Sequence, residues 1–259
     1  MTRIDEDHRQ IPFAVRFDWG LTGAEAIASG SDVAVVVDVL SFTTTLSVAM
    51  DAGTTVVPWA VGDHTASAYA RDNDAVLAVR RSEANPGDVS LSPSTLRTAH
   101  PPARLVLPSP NGSTIAAHLA TETAICLGAS LRNAPAVAAW IAGRTPTGVV
   151  SVVAAGERWP NGELRPSIED LWGAGYVISE LYRHDSSLVL SPEAAMASHA
   201  WTAAAGQLPG ALEESASGME LIAKGYRIDV DIAAEVNTST AVPVLRSGVF
   251  VDAGAEFPV

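Results

Sequence analysis

Short apolar runs rich in β-branched residues alternate along this chain with alanine-rich segments of helical length. That rhythm restricts it to βα units around a largely parallel sheet. The runs at 14–17, 33–39, 55–58, 76–79, 104–107, 124–127, 149–154, 188–190 and 249–251 are expected strands. Helices are expected at 43–51, 64–71, 113–121, 134–142 and 167–182, several of them opened by Ser, Thr or Asn, the residues that cap free amides. The segment 192–225 reads as further helices broken around Gly206 and Gly210. The expected fold class is α/β, a three-layer sandwich with a largely parallel or mixed central sheet. No low-complexity linker, charge block or solenoid repeat divides the chain, so one domain over 1–259 is expected, with room for two lobes.

Composition narrows the function. With 47% hydrophobic and 17% charged residues the chain can bury a substantial core without staples. The single cysteine, Cys126, leaves no internal disulfide framework, and a cytoplasmic setting is expected. The charged N-terminus lacks a signal-peptide pattern and no apolar run reaches the ~18 residues of a membrane span, so no membrane partner is expected. A net charge of −13 argues against nucleic acid. It also means that an anionic substrate must be drawn in by a metal, backbone amides or the few arginines.

Three segments carry chemistry of that kind. In Asp38-Val39-Leu40-Ser41-Phe42-Thr43-Thr44-Thr45 an apolar strand ends in a carboxylate and enters a hydroxyl-rich helix start. Ligands in open α/β sheets bind beyond such strand ends, so Asp38 can hold Mg²⁺ while Thr43, Thr44 and Thr45 face a phosphate. Equally, the threonines can cap the helix and Asp38 can accept a turn amide. The segment Pro108-Ser109-Pro110-Asn111-Gly112-Ser113-Thr114 repeats the arrangement and can form a second wall of one anion pocket, though Asn-Gly is also an ordinary turn. In the third segment Glu157, Glu169 and Asp170 flank one polar loop and supply the oxygen ligands a hard cation needs. Arg158 and Arg165 can supply charge for a phosphate or a second acid group. There Ser167 and Asp170 also fit a helix-capping pair.

Other patterns carry less. Asp229-Val230-Asp231 matches a D-x-D but follows no strand of convincing length. Cys126 and Arg132 match the C-x₅-R spacing of cysteine phosphatases, yet the residues between them are apolar; a buried residue ending a strand is the competing reading. Gly173-Ala174-Gly175 lies inside a helical pattern and suits close helix packing rather than a dinucleotide. None of the six histidines stands at zinc-site spacing.

Taken in order, several of these segments resemble the 2-phosphosulfolactate phosphatase family over about 33–245. The resemblance lies in Val37-Asp38-Val39-Leu40 with Thr43-Thr44-Thr45, Asn111-Gly112-Ser113, and Gly128-Ala129-Ser130-Leu131-Arg132-Asn133-Ala134. It continues through Ala155-Gly156, Ser167-Ile168-Glu169-Asp170 and Ala174-Gly175 to Asp229 and Val242-Pro243. It implies a Mg²⁺-dependent, commonly dimeric phosphatase of unusual α/β fold that converts 2-phosphosulfolactate to sulfolactate and phosphate in coenzyme M biosynthesis. On that reading Asp38, Glu169 and Asp170 hold the metal, and Asp38, Glu157 and Arg158 are catalytic. Thr43–Thr45, Ser109, Asn111, Gly112, Ser113 and Asn133 bind substrate. The family usually has Arg where this chain has Ser41, which removes an expected anion clamp, and Arg81 and Glu83 only loosely echo its charged pair after the third strand. A non-catalytic homologue that binds a small anion is the alternative.

Overall fold

The structure, a computed structural model, describes residues 4–60, 62–98, 100–145 and 148–254. Among these residues eleven strands are formed: β1 (Val15–Trp19), β2 (Val33–Val37), β3 (Thr55–Trp59), β4 (Val76–Leu77), β5 (Arg104–Pro108), β6 (Ile125–Ala129), β7 (Val150–Ala154), β8 (Glu157–Arg158), β9 (Leu164–Arg165), β10 (Pro243–Arg246) and β11 (Val249–Asp252). Nine of them make one sheet in the order β1-β7-β2-β6-β10-β11-β3-β5-β4. Two parallel blocks, β1-β7-β2-β6 and β3-β5-β4, are joined by the antiparallel hairpin β10–β11, which meets β6 through Val244 and Leu127 and β3 through Phe250 and Val56. The sheet is therefore mixed and mostly parallel, as expected from the alternating pattern.

Strand β2 shows why the fold has three layers. All five of its residues are buried, and successive side chains of a strand point to opposite faces. Val33, Val35 and Val37 enter one core with Leu171, Ala174, Val177 and Ile178 of helix Ile168–His184. Ala34 and Val36 enter the other, with Phe42, Leu46 and Ala49 of helix Phe42–Asp51. A continuous apolar strand can be buried on both faces only if helices cover both.

Most expected elements form within a few residues of their expected bounds. The strand expected at 188–190 is a correction: it amounts to a bridge between Leu190 and Val15. Strand β10 escapes sequence reading because it is four residues long and starts with Pro243, yet its turn is legible: Ser247 and Gly248, at φ 49° and 81°, fit the two-residue turn that joins twisted strands. Helices Gly20–Ile27, Pro93–Thr98 and Arg227–Ala233 were likewise not expected. Among the described residues no helix is long and apolar enough to cross a membrane.

Gly175 has the packing role its sequence context suggested. A Cβ there would lie 2.0 Å from the Ala197 carbonyl oxygen, so its absence lets helix Ile168–His184 touch helix Pro192–Ala204. Tyr176 and Trp201 stack beside that contact with ring centroids 4.1 Å apart. Gly175→Ala is expected to lower the unfolding free energy by about 2–3 kcal/mol in denaturant titration. Gly143→Ala, where an added Cβ meets nothing within 4 Å, is expected to leave stability unchanged or raise it by up to about 1 kcal/mol.

Candidate active site

The chain leaves β2 toward one helical layer and β7 toward the other, which opens a crevice at their carboxyl ends where α/β proteins bind ligands. Asp38, immediately beyond β2, is buried. Its Oδ1 accepts from the Phe42 amide at 3.1 Å and its Oδ2 from the Gly112 amide at 3.0 Å. One carboxylate thus receives the first amides of two helices, Phe42–Asp51 and Gly112–Glu122, where helix dipoles favour negative charge. A Cβ on Gly112 would stand 2.4 Å from Phe42 Cδ1 and 2.7 Å from Asp38 Oδ2, so the close approach requires glycine. The two strand–turn–helix segments picked out in the sequence do meet, but these two amides are given to Asp38 itself.

The threonines after Asp38 serve the backbone. Thr43 Oγ1 donates to the Asp38 carbonyl at 2.8 Å and accepts from the Asp38 amide at 3.0 Å. Thr44 Oγ1 donates to Val39 O and Thr45 Oγ1 to Leu91 O, each at 2.7 Å. All three hydroxyl protons are directed at backbone carbonyls, two within the Asp38–Thr45 turn and one at Leu91. Ser113 likewise donates to Leu107 O at 3.0 Å. Ser109 is buried, and its amide donates to Trp59 O at 3.3 Å. Asn133 is buried at the end of β6. Its Oδ1 accepts from the Ser130 amide at 2.8 Å and its Nδ2 donates to Ala241 O at 3.0 Å, which ties the end of β6 to the approach of β10.

Asp170 closes the other side of the crevice. Its Oδ1 accepts from the Val39 amide at 2.7 Å and its Oδ2 from the Gly156 amide at 2.9 Å, joining the ends of β2 and β7. The capping pair expected from Ser167 and Asp170 does not form: Asp170 turns to these strand-end amides, and the buried Ser167 hydroxyl has no partner. Glu169 is 2% exposed, and among the described residues no hydrogen-bond donor or cation meets its carboxylate. Glu157 accepts from Asn111 Nδ2 at 3.2 Å, and Asn111 Oδ1 accepts from Arg158 Nε at 3.3 Å. Arg165 donates to Ser217 Oγ at 3.1 Å. A cavity of about 280 Å³ opens beside this group, with Asn111, Glu157, Arg158, Trp19, Thr22 and Leu164 in its wall.

Burial and mutual repulsion shift these acids together. Asp38 is pushed up to about 7, chiefly by desolvation and then by Glu157, against the pull of its two amides and Arg81. Asp170 is raised well above the carboxylate range by burial, Asp38 and Glu169. Glu157 is raised by burial, with Arg165 and Asn111 opposing. The site is a buried acid group short of positive charge.

One polar network here was not legible from local sequence. Arg81, in the turn after β4, donates from Nε to Asp229 Oδ2 at 3.1 Å and from Nη2 to Ser41 Oγ. Asp229 is fully buried, and its other oxygen accepts from Ser92. Asp229 therefore anchors an arginine, whereas Asp231 of the same D-x-D lies on the exposed side of helix Arg227–Ala233. The resemblance singled out Arg81 and Asp229 separately, but nothing local pairs them, because Arg81's partners lie 40 and 148 residues away.

The C-x₅-R coincidence does not survive the geometry. Cys126 is buried, with its thiol pushed up to about 12 by desolvation. Arg132 is bound by Ser47, Asp51 and Glu235. A buried, protonated thiol is not a nucleophile, and this arginine is already occupied.

Fold and site together describe an α/β enzyme with an acid-rich centre at the carboxyl ends of its central strands. Residues 23–248 match the family model for 2-phosphosulpholactate phosphatase. Two curated relatives are each named probable 2-phosphosulfolactate phosphatase. One, from Thermus thermophilus, is 36% identical over 221 residues, covering 84% of this chain and 90% of the relative. The other, from Deinococcus radiodurans, is 31% identical over 239 residues, covering 86% and 92%. The chain belongs to the 2-phosphosulfolactate phosphatase family, whose named activity is that of a phosphoric monoester hydrolase.

The raised Asp38 carboxyl has a consequence for stability. The folded state holds this proton more tightly than the unfolded chain, whose carboxyl titrates near 3.8. Its stabilising contribution is therefore complete below that value and lost as pH rises through about 7. In chelator-treated protein, denaturant unfolding is expected to show Asp38→Asn gaining stability relative to the wild type as pH rises across this window. A pH-independent difference between the two proteins excludes the buried, protonatable Asp38.

Proposed function

We propose that this protein is a Mg²⁺-dependent phosphatase that hydrolyses the phosphate monoester of a small anionic hydroxy acid, 2-phosphosulfolactate, to sulfolactate and phosphate. The observation that carries the reading is Glu169, a nearly buried carboxylate with no donor or cation against it among the described residues, next to Asp170, whose carboxyl is raised by burial and then by Asp38 and Glu169. The orphaned Ser167 hydroxyl, two residues before Glu169, points the same way. Oxygen donors of this kind suit a hard cation. Among the described residues no three acids are already grouped as a metal site. This still fits Mg²⁺, which typically keeps several waters and takes one or two carboxylates together with substrate phosphate. Of the expected ligands Asp38, Glu169 and Asp170, Glu169 together with one of the two aspartates would hold it. When bound, the ion supplies positive charge to the phosphoryl oxygens and a site for water.

The remaining roles follow from the residues of the cavity. Arg158, fixed by Asn111 Oδ1 and by Gly162 O at 3.0 Å, holds its guanidinium in the cavity wall toward an incoming phosphate. Glu157, kept more basic by burial, takes a proton from the attacking water. The new bond forms between the water oxygen and phosphorus, the ester P–O bond breaks, and the hydroxy acid leaves with a proton from solvent. In the same reading the protein works as a homodimer in the cytoplasm, on the route to coenzyme M; light scattering of the purified protein at twice the chain mass checks the dimer.

Purified protein is expected to release phosphate from 2-phosphosulfolactate with Mg²⁺, to lose that activity in chelator and to regain it when Mg²⁺ is returned. Glu169→Gln is expected to lower kcat/KM by about a hundredfold or more while remaining folded by circular dichroism. Activity that persists in chelator overturns the metal requirement. Saturable binding of the phosphoester without turnover identifies an anion-binding homologue instead.

A further inference from the structure

Arg81 combines three features that a purely structural arginine does not need together. Its guanidinium is clamped from two sides, by fully buried Asp229 through Nε and by Ser41 through Nη2. The Tyr226 ring lies 5.9 Å from its centre. Among the described residues nothing accepts from its Nη1, and the side chain keeps 17% exposure, so one edge remains within reach of solvent. Finally, the clamp stands at the crevice itself: Ser41 lies three residues beyond Asp38 in the same strand-to-helix turn, and Arg81 is the cation that acts on the Asp38 carboxylate. Charge balance alone explains the pair with Asp229, since a buried carboxylate requires a cation. It does not explain why the guanidinium is carried on to the turn beside the acid centre.

We propose that Arg81 is a specificity-determining residue that binds a second acid group of the substrate, carboxylate or sulfonate, while the phosphate sits at the acid centre. This rests on the phosphatase reading above and extends it. A phosphoester with a second anionic group meets a surface that is strongly negative overall, so a fixed guanidinium near the reacting end selects for that group. Asp229, Ser92 and Tyr226 hold the guanidinium in orientation, and Ser41, small and buried, leaves it room. Arginine suits the task because its planar fork stays charged and can be held by one edge while the other binds an oxyanion.

The test compares kcat/KM of wild type, Arg81→Lys and Arg81→Gln on 2-phosphosulfolactate and on glycerol 2-phosphate, which lacks both acid groups. The expected result is a fall in the ratio between the two substrates of about 10- to 100-fold in Arg81→Gln, the range for losing a hydrogen bond to a charged group, with Arg81→Lys in between. A ratio within twofold of wild type, both substrates falling together, makes Arg81 purely structural and overturns the proposal. Because a variant with Asp229 left unpaired can misfold, a second measurement uses the wild-type protein. Phenylglyoxal modification of Arg81, followed by mass spectrometry, is expected to slow at least fivefold when sulfolactate is present; labelling unaffected by sulfolactate overturns the proposal. If wild type hydrolyses neither substrate, the phosphatase reading fails, while the labelling experiment still reports whether Arg81 holds the anion.

Discussion

Two carboxylates hold the centre of this protein together. Asp170 bonds the end of β2 to the end of β7, and Asp38 receives the starts of two helices. A buried carboxylate costs far more than a buried amide unless it is met by donors, and here the donors are the backbone groups that strand ends and helix starts leave unpaired. The same bonds complete the fold and fix the acids where they repel one another. The architecture is closed around a site that wants positive charge.

That arrangement leaves the Phe42 and Gly112 amides at the two helix starts donating to the protein's own carboxylate. A helix N-terminus attracts whatever anion lies nearest, and the protein's own Asp38 is nearest. In the proposed reading, the duty of meeting an anionic substrate passes to a cation among the acids and to the arginines at the margin, Arg158 in the cavity wall and Arg81 beside Ser41. A chain with a charge of −13 has few such groups, so their placement matters more than their number.

The long-range network Arg81–Asp229–Ser92 shows the same economy. It joins the turn after β4 to helix Arg227–Ala233 and to the loop before helix Pro93–Thr98, three pieces that share no strand. Arg81 and Ser92 together meet the buried Asp229, and Asp229 and Ser41 together orient Arg81. Burial and orientation are one interaction seen from its two ends.

The sequence by itself determined the layers. Strand β2 is apolar at every position and the helices are alanine-rich, which forces burial on both faces of a parallel sheet whatever the detail of the turns. It also identified the acids Asp38, Glu157, Glu169 and Asp170, because carboxylates directly after apolar strands or at a helix start are conspicuous against so hydrophobic a chain. Tertiary structure alone decided what each group does. Thr43, Thr44 and Thr45 carry the same hydroxyls in either role, and only the distance to a carbonyl showed that the backbone takes them. Ser167 has the form of a cap, and only the structure shows its hydroxyl without a partner and Asp170 turned toward β2 and β7. Arg81 and Asp229 are 148 residues apart, and no local pattern announces a contact whose energy depends on both being buried in one place.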